Sequence, residues 1–135
     1  MINQLIELMK EQEKSLNELL ILLKVQRKMI GEKDNFGLEG IVDKMTVCSK
    51  KIAQSEIDRR KLLGDKSIKQ IVADSDNSDL IETYTCIHDI LNTILIEKET
   101  NDMLLKQELI LGNKILSMIN PNRETKTYNS YGNLK

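Results

Sequence analysis

Proline occurs once in 135 residues, at Pro121, and tryptophan and phenylalanine together contribute one residue, Phe36. The 120 residues ahead of Pro121 therefore lack the strongest helix breaker. Aromatic residues make up 3% of the chain (Phe36, Tyr84, Tyr128 and Tyr131), too few for stacking single-stranded bases. Lys and Arg number 20 against 21 Asp and Glu, so no excess of one sign marks a nucleic acid or an anionic membrane as partner. One histidine and two cysteines, Cys48 and Cys86, exclude a histidine-based metal site and a multi-bridge disulfide scaffold. No cofactor is expected. The longest apolar run, residues 19–23, is far short of a membrane span, and no basic start leads into an apolar run, so no signal peptide is expected. With the cysteines as small buried hydrophobes in a reducing environment, the expected compartment is the cytoplasm.

What the sequence does contain is apolar periodicity. Residues 2–30 repeat every seven, with Ile2, Met9, Leu16, Leu23 and Ile30 in one row and Leu5, Gln12, Leu19 and Gln26 in the other. This spacing predicts a helix with a coiled-coil-like face, ended by Gly31. Residues 31–35 form a turn with Asp34 or Asn35 as the next N-cap. A second helix over 35–63 carries Leu38, Met45 and Ile52 in one row and Ile41, Cys48 and Leu62 in the other. Its basic end, Arg59 to Lys61 before Gly64, complements a helix dipole better than it makes a phosphate site. Ser67 and Gln70 suggest a capping box for a short helix over 67–73. Asp74, Asp76 and Ser78 open like a calcium loop, but Asp79 and Thr85 stand where its glycine and glutamate belong, so N-cap chemistry is the better account.

A third long helix is expected over 78–119, roughly 63 Å in length. Its first half is regular (Leu80, Tyr84, Ile87, Leu91, Ile94), and the polar waist at 97–102 holds no Gly or Pro, so the helix continues through it. The fold class is all-α: an elongated antiparallel three-helix bundle, coiled-coil-like, with a long third helix. The helical bundle domain covers 1–119, and 120–135 is a flexible polar tail.

No Gly-rich phosphate loop and no nucleophile–base pair emerges. Cys86 and His88, two apart on a helix, point to different sides. Carboxylates alternate with lysines along solvated faces, so no enzyme is expected.

The informative segment is 103–119. On a helical wheel Leu104, Leu105, Leu109, Leu111, Ile115, Leu116, Met118 and Ile119 cover roughly 180°, where a core stripe needs about 100°. Met103 and Ile110 lie outside even that arc. Two uses of the surplus compete. Either the seam shifts after the waist and the arc packs within the bundle or a homodimer, or the end of the third helix overhangs its neighbours and offers an apolar face to helices of another protein. Burying six such side chains yields on the order of 9–18 kcal/mol gross, and association takes back about 4–15 kcal/mol. The difference suits a protein that holds a partner and later releases it.

The run from Asn101 to Leu109, Asn-Asp-Met-Leu-Leu-Lys-Gln-Glu-Leu, resembles the third-helix signature of FlgN-like flagellar export chaperones. The turn from Gly31 to Leu38 resembles that family's first connection. Thr127 and Tyr128, with Gly132 four residues after the tyrosine, resemble its terminal motif. Lys98 stands where the family often has another Asn. The resemblance implies a chaperone that binds helical terminal segments of flagellar hook-associated proteins, prevents their premature assembly and delivers them to the flagellar type III export apparatus. It implies partner-binding residues from Asn101 to Leu109, and the wheel extends these to Met118. The candidate set is Asn101, Met103, Leu104, Gln107, Ile110, Leu111 and Met118. The alternative is a non-enzymatic coiled-coil assembly or scaffold protein whose apolar surface forms a homo-oligomer.

Overall fold

The computed structural model describes residues 1–119. It contains α1 (Ile2–Glu32), α2 (Asn35–Leu63), α3 (Ile68–Asp74) and α4 (Ser78–Ile119), and no strand among the described residues. The expected tail at 120–135 lies outside the described residues. Two compact units result: Met1–Asn101, and a second beginning at Asp102 whose described part is the remainder of α4.

The first unit is a three-helix bundle. Of the seam anticipated in α1, Leu5, Met9, Gln12, Leu16, Leu23, Gln26 and Ile30 are buried and joined by Ile6, while Ile2 and Leu19 are half-buried and pack against the core. α2 runs back along α1, since the Cys48 thiol donates to the Ser15 carbonyl (3.1 Å) and Gln12 Nε2 donates to Glu56 Oε2 (3.2 Å). α4 runs parallel to α1, with Lys10 paired to Asp79 near one end and Arg27 to Glu97 near the other. Leu80, Ile87 and Ile94, spaced by seven, complete the core with Leu63 and Val72. Strict heptad spacing keeps one face of each rod against its neighbours, which produces this packing.

Local differences from the expected elements have simple causes. α1 does not stop at Gly31; it ends one turn position later, where Lys33 takes a left-handed conformation (φ 57°). The Lys33 N–H donates to the Ile30 carbonyl and the Asp34 N–H to the Met29 carbonyl, a Schellman closure that satisfies the last carbonyls without glycine. Ser67 makes no side-chain cap bond, so the Ser67–Gln70 box does not form; Gln70 donates to Asp74 instead. The N-terminus of α4 is capped by Asn77, whose Oδ1 accepts from the backbone of Asp79 and Leu80, rather than by the acidic residues beside it. In α2, Leu63 is the buried residue of the last turn and Leu62 is half-buried. In α4, Thr83 is buried where Tyr84 is half-buried, and Ile90 packs on the core where Leu91 is exposed.

Asp34 does double duty. Its N–H closes α1 and its carboxylate accepts from the Gly37 N–H (2.9 Å) to open α2. A Cβ at Gly37 would lie 2.4 Å from Asp34 Oδ2, so glycine is what lets the carboxylate approach. Asp34→Ala is expected to lower stability by about 1 kcal/mol. Gly37→Ala in the same protein should show the same direction, because it displaces the cap. Urea titrations followed by circular dichroism would measure both.

Candidate functional site

Of the seven candidate residues, Asn101 separates from the rest. It is 0% exposed and ends the first unit, and its amide is fully engaged. Nδ2 donates to the Leu23 carbonyl (2.8 Å) and to Gln26 Oε1 (2.9 Å), while Oδ1 accepts from Arg27 Nε (3.2 Å). Arg27 also pairs with Glu97. With no accessible surface and its donors satisfied, Asn101 holds α4 to α1 in this structure. The sequence signal was present. Asn101 continues the row Leu80, Ile87, Ile94, and Gln26 interrupts the apolar row of α1. A second polar layer has the same origin at Gln12, which meets Glu56. The Glu56 carboxylate also accepts from Arg59 (2.6 Å) and Arg60 (3.2 Å), so the basic end of α2 is held by its own helix.

The other six residues lie in the second unit, on α4. At 100° per residue, Met103, Leu104, Gln107, Ile110, Leu111 and Met118 share an arc of about 120°. Leu104 is half-buried and the rest are exposed, from 47% at Leu111 to 54% at Met103, 57% at Ile110 and 77% at Met118. Leu109, Ile115, Leu116 and Ile119 are exposed as well. Only the strip through Asp102, Lys106, Asn113 and Ser117 is consistently polar. Unbranched methionines at the two axial ends of this face, Met103 and Met118, adapt to irregular partners at little cost.

Elsewhere the described residues carry little reactive chemistry. They contain no group of His, Cys, Asp and Glu that could hold a metal ion, which includes the acidic stretch at 74–79. Cys48 and Cys86 are free thiols. Burial pushes the Cys48 thiol up from its ordinary value, with Glu18 adding to the shift and Lys51 opposing it. Cys86 is also raised, by desolvation and then by the carboxylates of Glu13, Glu82 and Asp89, so neither thiol is activated at neutral pH. His88 is exposed and lies edge-on to Tyr84 with ring centroids 4.5 Å apart. An open cleft of about 560 Å³ between α1 and α2 is lined by Glu7, Glu11, Asp58 and Lys61 with Leu8 and Leu62. No helix among the described residues is long and apolar enough to cross a membrane.

The described residues thus comprise a three-helix bundle in the first unit and an exposed apolar helix face in the second. No curated protein and no solved structure matches the chain. The model of one protein family, described as FlgN protein, matches residues 1–135, and the chain accordingly belongs to the FlgN family of flagellar export chaperones.

Proposed function

We propose that this protein works in the cytoplasm as a carrier for flagellar hook-associated proteins. It holds a helical terminal segment of the client against the arc of Met103, Leu104, Gln107, Ile110, Leu111 and Met118. It thereby blocks premature assembly and delivers the client to the flagellar type III export apparatus. The observation that supports the reading is the exposure of five of these six side chains on one helical face. A monomeric domain rarely leaves so continuous an apolar surface uncovered without a partner for it. A helical segment with apolar residues at i, i+3, i+4 and i+7 is the complementary ligand. Gln107, between the apolar pairs 103/104 and 110/111, supplies a hydrogen-bonding group that orients it.

The competing use of the same face is a homo-oligomer without a client. Sedimentation equilibrium over a range of concentrations, with and without a purified hook-associated terminal fragment, separates the two. The expected result is a one-to-one complex with the fragment, with a dissociation constant in the micromolar to nanomolar range. A tight dimer that persists at every concentration and ignores the fragment would overturn the proposal.

A further inference from the structure

The three buried apolar residues of α4 are Leu80, Ile87 and Ile94, at intervals of seven. They are nearly interchangeable. Sliding α4 along α1 by one heptad replaces one branched aliphatic with another, and so discriminates weakly between registers. The next residue in the row is different. Asn101 is completely buried, uses both amide hydrogens and its carbonyl, and finds all three partners on α1, at Leu23, Gln26 and Arg27. Glu97, one turn before it, pairs with the same Arg27.

We propose that the cluster of Asn101, Gln26, Arg27 and Glu97 is a register lock. It admits one pairing of α4 with α1, and so decides which residues of α4 the bundle takes and which it leaves out. The chemistry penalises displacement in both directions. A shift of one heptad toward the C-terminus of α1 brings Ile94 to the place of Asn101 and Ile90 to the place of Glu97. Gln26 and Arg27 then face methyl groups. The opposite shift carries Asn101 to the place of Ile94, where Leu19 and Leu20 stand in for Gln26 and Arg27 and leave its amide without side-chain partners, and it sets the Glu108 carboxylate, which cannot donate, against the Leu23 carbonyl. A buried polar residue at a seam position specifies register in this way at some cost in stability. The second shift is the consequential one, because it draws Leu104 and Leu105 toward the bundle. On the client-binding reading above, on which this consequence rests, the lock keeps the capture face from being spent on the protein's own core.

Register is measurable without any client. Nitroxide labels at Lys14→Cys and Asn92→Cys, both exposed positions of the first unit, report the axial offset of α4 from α1 in a full-length Cys48→Ala, Cys86→Ser background. One heptad displaces them by about 10 Å along the helix axis. The background protein is expected to give one narrow distance. Gln26→Leu with Asn101→Leu, and separately Asn101→Ile, should add a second distance holding on the order of 10% or more of molecules. The exchanged pair Gln26→Asn with Asn101→Gln should restore a single distance, which a merely stabilising role does not require. A single unshifted distance in both apolar variants would overturn the lock. So would loss of helicity in both, since the cluster would then serve folding rather than register. Client capture is scored separately on the background protein: a single distance without capture sinks the proposed function and leaves the lock standing.

Discussion

Ile110→Asp combined with Leu111→Asp is expected to abolish capture of a hook-associated terminal fragment while leaving helicity and melting nearly unchanged. In the free protein both side chains are about half exposed, so aspartate there loses little packing and stays solvated. The local cost is helix propensity, within about 0.7 kcal/mol per residue. In the complex the balance reverses. Each variant forfeits about 1.5–3 kcal/mol of apolar burial, and each new carboxylate must be desolvated or remain wet within an apolar contact. The pair should weaken binding by on the order of 10²–10⁴-fold, read by titration calorimetry. Unfolding of the variant would show that these residues belong to a core, and capture within a few-fold of wild type would place the client elsewhere.

The second large effect is on stability. Leu80→Ala should lower the unfolding free energy by about 2–5 kcal/mol, whereas Leu95→Ala in the same helix should stay within about 0.5 kcal/mol. Leu80 is fully buried in the cluster that also holds Leu5 and Met9, so truncation leaves a cavity that surrounding rods cannot fill. Leu95 is 57% exposed and opens no cavity. The melting temperature of the first variant is expected to fall by on the order of 10 °C or more. Equal shifts for the two leucines would contradict the heptad register described for α4.

Much of this architecture is legible in heptad spacing. Ile2 to Ile30 and Leu5 to Gln26 name the buried face of α1 before any packing is known, because a side chain's direction on a helix follows from its position alone. The continuity of α4 through 97–102 is legible for the same reason: polar residues without Gly or Pro do not break a helix. The seam of α4 is less legible. Leu91 matches the pattern as well as Ile90, and Tyr84 as well as Thr83. Which of two adjacent positions turns inward depends on where the neighbouring helices lie. Ends are the least legible. Gly31 has the composition of a stop, yet Lys33 accepts the left-handed conformation because the Schellman bonds and the start of α2 at Asp34 reward it.

The candidate site divides along the same line. The surplus of apolar circumference after residue 102 is a property of the sequence, since no rotation of the helix can hide ten apolar residues spread around it behind one seam. The sequence also carries the family relationship and the absence of nucleophile, metal and phosphate chemistry in recognisable spacing. The role of Asn101 required the fold. On paper it is the first residue of a binding signature; in three dimensions it is the last residue of the core, because its partners Leu23, Gln26 and Arg27 are more than 70 residues distant along the chain. Periodicity tells which way a side chain points from its own helix, and only the tertiary structure supplies the groups it meets there. Hydrogen bonds, unlike apolar contact, depend on those particular groups, which is why the polar layer was decided by the fold and the apolar seam of α1 by the sequence.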